Sequence, residues 1–270
     1  MKLFVDFLNK EKIENEIQDL KDLDFSLFVE TVPKSQEELS SINIISLYEP
    51  NEYFGKNDWA IQNKDLFSAI LTWDDKVLNN CDNAIYLPFG HTWLQPDQFE
   101  KQNDKKFELS HLCGNLLKSY GHSMRHEIMA RKNEIKIPTN FYQTIGDRHN
   151  IDDARLGKET VLANSQYGVA IENFAHRGFF TEKILDCFLL KTIPIYWGCS
   201  NIGDFFDIDG IITFDNVDDL IYKVNNLDEN FYESRKEIIT KNWKSALEYV
   251  YYEKNIVDKV KEIFKHNNIV

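Results

Sequence analysis

The sequence predicts an α/β fold with mainly parallel sheets. Short apolar runs rich in β-branched and aromatic residues alternate with stretches of helical spacing along the chain. The second half repeats this order most clearly and reads as a doubly wound unit. No internal repeat of fixed period competes with that reading.

The elements follow in order. Lys2–Leu8 reads as a first strand, and the charged stretch Glu11–Leu20 as a short helix or a loop. LFVET (27–31) and INIISLY (42–48) are strands, the latter ended by Pro50. FSAILTW (67–73) is a buried strand, Asp74–Asn80 has helical spacing, and Ala84–Leu87 is a short strand before Pro88. Gln95–Lys106 is polar, aperiodic and a candidate interdomain linker. Phe107–Cys113 resumes a strand, and Ser123 is the expected cap of a helix running to about Asn133. Phe141–Asn150 reads as a loop or short strand, and Glu159–Ser165 as helical. YGVAIE (167–172) is a buried strand. Thr181 opens a helix to about Lys191 whose Ile184, Leu185, Phe188 and Leu189 suit packing on a sheet. Ile193–Trp197 and Ile211–Phe214 are the last strands, and the remainder is mostly helical. The expected domains are 1–104 and 105–250. The amphipathic tail 251–270 is expected to return to the first domain or to serve a dimer.

Composition excludes some functions. The chain has 270 residues, 43% hydrophobic and 28% charged, enough for one large or two small cores. A net charge of −13 argues against general nucleic-acid binding, yet leaves room for one basic pocket around a diphosphate. Cys81, Cys113, Cys187 and Cys199 form no CxxC pair and read as reduced thiols in a cytosol-like compartment. The start MKLFVDFLNKEK is too short for a signal peptide, and no apolar run approaches the roughly 20 residues of a membrane helix. The expected location is cytoplasmic.

The segment 167–198 carries the most chemistry. An apolar strand delivers Glu172 and Asn173 at its carboxyl end, a loop brings Arg177 and Gly178, and a helix starts at Thr181. Ligands of open α/β sheets bind beyond strand carboxyl ends, and a helix N-terminus suits phosphate. Lys183 in the first turn opposes the helix dipole unless it faces an anion, and Glu182 suits sugar or ribose hydroxyls. The bland alternative is a solvated helix start and a surface arginine. The pattern is neither GxGxxG nor a P-loop.

Other groups are weaker. Asp74 and Asp75 are adjacent rather than alternating, which favours helix capping over a metal site. His111, His122, His126, His149 and His176 include no HExxH, and His122 with His126 lacks a third ligand. No metal site is expected, and these histidines read as hydrogen-bonding or surface groups. Arg125, behind Gly121 and Ser123, is a second phosphate-contact candidate. Glu49, at a strand end, is a candidate general base. Tyr53, Phe54, Trp59 and Trp93 suit either stacking on sugar faces or core packing.

The segment IENFAHRGFFTEKILDCFLLKTIPIYWG resembles the donor-binding signature of the α-1,3/4-fucosyltransferase family, glycosyltransferase family 10. CGNLLKSYGHSMRHEI resembles the arginine-bearing segment that opens that family's C-terminal domain. SLYEP, FSAILTWDD and IYLPFG resemble its acceptor-domain order. The resemblance implies a GT-B fold, two Rossmann-like α/β domains facing each other across a cleft, with the acceptor on the first and the nucleotide sugar on the second. It implies GDP-fucose as donor, a glycan containing N-acetylglucosamine as acceptor, and inversion without a bound metal or other cofactor. Carried over by position, Glu182 would bond donor hydroxyls, Lys183 and Arg125 the diphosphate, Glu172 would shape the sugar pocket, and Glu49 would be the base. Phe179 departs from the tyrosine that some bacterial members place three residues before the Glu-Lys pair. The alternatives are a UDP-sugar donor (xylose or glucose) and a catalytically silent glycan-binding protein.

Overall fold

A computed structural model describes residues 1–99, 104–144 and 151–267. The chain forms two units, Met1–Phe89 with Tyr251–Val270, and Gly90–Val250.

In the first unit, β1 (Lys2–Val5), β2 (Phe25–Val29), β3 (Ile42–Leu47), β4 (Ala69–Thr72) and β5 (Ala84–Tyr86) form one parallel sheet in sequence order. β2 and β4 are buried throughout, so every position favours an apolar or small side chain. Helices α1 (Lys10–Glu16), α2 (Asn51–Phe54), α3 (Lys56–Gln62) and α4 (Asp75–Asn80) connect the strands. Gly55 separates α2 from α3 at φ 64°, a left-handed conformation that glycine adopts without steric cost. Asp74 caps α4, its Oδ1 accepting from the N–H groups of Lys76 and Val77 at 2.8 and 3.1 Å. The last helix of the chain, Tyr252–His266, closes this unit. Phe264 meets Phe25 edge-on at 5.0 Å, and the Tyr252 hydroxyl lies 3.1 Å from Ser46 Oγ.

In the second unit, β6 (Lys106–Cys113), β7 (Thr139–Gln143), β8 (Ser165–Ile171), β9 (Ile193–Trp197) and β10 (Ile212–Thr213) form a parallel sheet of order β10-β9-β8-β6-β7. The order reverses at β6, with β7 on one side and β8 on the other. Such a reversal opens a crevice at the strand carboxyl ends. The helices are α5 (Pro96–Phe99), α6 (Tyr120–Ala130), α7 (Ile151–Leu162), α8 (Glu182–Leu189), α9 (Val217–Asn225) and α10 (Lys236–Ala246), leaving the closing helix of the first unit as α11. α8 buries Ile184, Leu185, Phe188 and Leu189 in a core shared with Phe180, Tyr196 and Phe206.

Three details differ from the sequence reading. The division falls at Phe89/Gly90, not after 104, because Leu94 and Phe99 from the polar stretch 95–106 and its flank bury themselves in the second unit's core. Residues 100–103 of that stretch, and 145–150 with His149, lie outside the described residues. Ser119, not Ser123, caps α6. Ser123 is already inside the helix, its N–H donating to the Ser119 carbonyl at 3.2 Å. α7 starts at Ile151 rather than 159 and ends before Ser165, which opens β8. Gly157, a poor helix former, had masked its length. No helix among the described residues is long and apolar enough to cross a membrane.

Candidate active site

β8 runs through the middle of its sheet and is followed by Glu172, whose N–H continues the ladder to the Trp197 carbonyl at 2.9 Å. The Glu172 carboxylate is fully buried. Its Oε1 accepts from the Thr181 N–H at 2.9 Å and its Oε2 from the Thr181 hydroxyl at 2.7 Å. Two glycines make room for it. A Cβ at Gly121 would collide with the Glu172 carbonyl oxygen, and one at Gly198 with the Glu172 Cγ. Burial raises the Glu172 pKa, opposed by the nearby Lys183 charge.

Thr181 is the N-cap of α8, as its position in the sequence implies. Lys183 Nζ lies 2.9 Å from Thr181 Oγ1, 3.1 Å from Glu182 Oε1 and 3.5 Å from Glu172 Oε2. The cation thus stays at the helix start because two carboxylates offset the unfavourable dipole. Burial acts to raise the Glu182 carboxyl pKa, but the charges of Lys183 and Lys158 outweigh it and hold the group below the usual carboxylate range. Lys158 pairs with buried Asp186 at 3.1 Å, and Thr92 donates to Asp186 at 2.6 Å. Sequence reading missed Lys158, Asp186 and Thr92. Only the i,i+4 spacing of Glu182 and Asp186, one turn apart on α8, pointed that way.

Arg125 is buried and turned onto the strand end. Its guanidinium donates to the Ile171 carbonyl and, at 2.6 Å, to Asn173 Oδ1. The geometry therefore brings Arg125 to Asn173 and ties α6 to the end of β8. His111 supports it from β6, its Nε2 lying 2.9 Å from the Arg125 carbonyl, and burial pushes the imidazole pKa down to about 4. Arg177 stands apart on the surface, 3.6 Å from Asp204. Gly178 takes φ 75° in the same loop and donates to Asn201 Oδ1 at 2.7 Å. Phe179 is buried, with its ring 6.5 Å from His176.

In the first unit Glu49 follows β3. Its N–H donates to Glu30 Oε2 at 3.0 Å, beside the Tyr48 N–H at 2.7 Å. Glu30 is fully buried and its Oε1 lies 3.4 Å from Lys56 Nζ. Desolvation raises the Glu30 pKa against those two N–H bonds. Nothing in LFVET distinguished Glu30 from an ordinary strand-end residue. Trp59 packs edge-on to Phe67 at 6.2 Å, at the margin of the core. Tyr53 adjoins Phe54, and Trp93 meets His91 edge-on at 5.3 Å. All four cysteines are buried thiols. Among the described residues, no group of three or more His, Cys, Asp or Glu side chains is placed to hold a metal ion.

No protein-family model matches the chain. Over 67 residues it is 33% identical to an α-(1,3)-fucosyltransferase FucT of Helicobacter pylori, a match covering 24% of this chain and 14% of that protein. The chain thus matches well under two thirds of that relative's length. A crystal structure of an α-1,3-fucosyltransferase superimposes with a TM-score of 0.59 at 16% identity, covering 98% of this chain and 89% of the other. A form with GDP-fucose gives 0.56 at 15% identity, over 98% and 88%. S. aureus TarM, in a complex that includes UDP, gives 0.57 at 11% identity, over 93% of this chain and 58% of TarM. What these structures share with the chain is the fold: two parallel β-sheets flanked by helices, the GT-B-like pairing of Rossmann-type α/β domains.

Proposed function

We propose that this chain is an inverting glycosyltransferase that moves fucose from GDP-fucose to a hydroxyl of a glycan. The observation that carries the reading is the Glu172–Thr181–Lys183 cluster, a cation at a helix N-terminus beside the reversal of a parallel sheet. The 67-residue likeness to a fucosyltransferase supports the choice of fucose. In this reading the second unit holds the donor and the first the acceptor.

The reaction is a single in-line displacement. Glu49 takes the acceptor hydroxyl proton as that oxygen attacks the anomeric carbon, and the bond to the diphosphate breaks on the opposite face. Negative charge grows on the departing diphosphate. Lys183 and the positive end of the α8 dipole stabilise it more strongly in the transition state than in the ground state. Glu182, held ionised by Lys183 and Lys158, accepts hydrogen bonds from donor hydroxyls. Arg125 acts through Asn173, holding the strand end that carries Glu172 in place. No metal enters this scheme. The four buried thiols fit a reducing compartment, and we place the enzyme in the cytoplasm.

A UDP-sugar donor is the second reading. Phe179 stands where some fucosyltransferases carry a phenol, and TarM, of like fold, is seen with UDP. A thermal-shift panel of GDP, UDP, ADP and their sugars separates the two. Ligand at about 100 times its Kd stabilises by about 2.7 kcal/mol. GDP and GDP-fucose are expected to raise the melting temperature most. A larger shift with UDP would replace fucose by a UDP-sugar, and no shift with any nucleotide would overturn the transferase reading. Glu49→Gln is expected to abolish transfer while GDP still binds. Transfer at the wild-type rate would place the base elsewhere.

A further inference from the structure

Phe7 and Phe54 are large aromatic side chains left in solvent, 72% and 50% exposed. They stack on each other, with ring centroids 5.5 Å apart and planes 21° from parallel. Both lie at the carboxyl ends of the first sheet's strands, Phe7 after β1 and Phe54 at the end of α2, which follows β3. Loops that follow strand ends are where binding residues concentrate.

The backbone beneath Phe7 is unusual. Phe7 has φ 67°, a left-handed conformation that a bulky side chain disfavours. The Leu8 N–H donates to the Asp6 carbonyl at 2.9 Å, closing a three-residue turn of the strained γ type. Neighbours hold this turn in place. The Asp6 N–H donates to the Val29 carbonyl at 3.0 Å, and the Tyr48 hydroxyl donates to the Asp6 carbonyl at 2.9 Å. Glycine would fit the turn without strain. A phenylalanine kept there, with its ring in water, gains neither backbone comfort nor burial. Strain of this kind gathers at ligand sites.

Lys56 sets the second ring partner. Its Nζ lies 4.7 Å from the Phe54 centroid and 5.6 Å from that of Phe7. The ammonium is already engaged by Glu30 at 3.4 Å and Asp6 at 3.7 Å. Those three groups sum to a formal charge of −1, and the Asp6 carboxylate is half exposed. The exposed Asp6 carboxylate offers acceptors to hydroxyl donors. Two stacked phenyl rings give an apolar face about the size of one pyranose, too small for a protein partner.

We infer that the Phe7–Phe54 pair is the platform on which an uncharged pyranose of the acceptor stacks, with Asp6 accepting from its hydroxyls. This rests on the transferase reading and names the acceptor class for it. The left-handed turn supplies a clean test, because Phe7→Gly removes the ring and relieves the backbone at once. The probes are neutral glycosides (galactose, N-acetylglucosamine, N-acetyllactosamine), followed by saturation-transfer NMR, with GDP affinity and melting temperature measured in parallel. Acceptor KM, with GDP-fucose as donor, completes the set. Phe7→Gly and Phe54→Ala are expected to weaken sugar binding and raise acceptor KM by about tenfold. GDP affinity stays at the wild-type value, Phe7→Gly melts no lower than wild type, and Phe7→Tyr keeps its affinity for sugar. Unchanged sugar binding and KM in both variants would overturn the platform alone. So would a wild-type protein that binds GDP but no neutral glycoside. A wild type that binds neither nucleotide nor sugar would overturn the transferase reading and the platform together.

Discussion

Glu30 and Glu172 occupy matching places in the two units. Each follows an inner strand of a parallel sheet, and each is fully buried. Each continues the sheet through its own N–H, to Ser46 and to Trp197. Each carboxylate accepts two hydrogen bonds and sits near a lysine, Lys56 at 3.4 Å and Lys183 at 3.5 Å. The surroundings differ. The first sheet runs in sequence order with no reversal, and Lys56 lies under two phenyl rings. The second sheet reverses at β6, and Lys183 stands at a helix N-terminus. The same buried pair thus sits beside exposed aromatic rings in one unit and at a helix N-terminus in the other. The donor role proposed for Lys183 rests on that setting, not on the pair.

The sharpest way to break this comparison is to remove each lysine in turn. Lys183→Ala should cut turnover by about 10²–10³, the effect of losing one preorganised charge contact to a leaving group. GDP affinity should fall with it. Lys56→Ala should leave GDP affinity intact while lowering stability, because it strands a buried carboxylate. Equal losses of GDP affinity, measured by calorimetry, would mean the two pairs do one job.

The glycines give a smaller effect. Gly121→Ala and Gly198→Ala each drive a methyl group into Glu172, and should cost about 1–3 kcal/mol by overpacking. Gly55→Ala meets no atom within 4 Å, and only its left-handed φ of 64° opposes it, at about 1–2 kcal/mol. Chemical denaturation of the three variants orders them. A Gly121→Ala protein as stable as wild type would show that Glu172 can move.

The pH dependence sharpens the pairing further. The folded-state pKa of Glu172 is raised above its ordinary 4.5, so the folded protein binds that proton more tightly than the unfolded chain. The resulting stability is full below 4.5 and is lost as pH rises through the raised value. Glu172→Gln removes that term. The wild-type melting temperature should therefore fall relative to Glu172→Gln as pH rises from 4.5, and Glu30→Gln should behave alike. The smallest effect belongs to Arg177→Ala. Its ion pair with Asp204 is exposed on both sides, and thermal melts should shift by no more than about 1 kcal/mol of stability.

The second-unit candidate site was legible because its parts are local. Thr181, Glu182 and Lys183 are adjacent, and a lysine against a helix dipole is visible in a sequence. The strands were legible for the same reason, since burial on both faces leaves long apolar runs. Glu30 was not, because its partners Tyr48, Glu49 and Lys56 come from two later elements. Phe7 was invisible because a left-handed backbone at a bulky residue leaves no compositional trace. Lys158 was hidden for a related reason, its charge making sense only beside Asp186 on another helix. Gly121 was noticed as part of a loop into an arginine-bearing helix, but its real work is to admit the Glu172 backbone.

The return of α11 to the first unit has a consequence in time. Residues 90–250 form an insertion within that unit, and a ribosome makes all of them before Tyr252. The second unit can complete its core while the first still lacks Tyr252, Ile256 and Phe264. The first unit to begin is thus the last to finish. Until the final helix docks, Phe25 and Ser46 lack its cover, and uncovered apolar surface of this kind invites chaperone binding and aggregation.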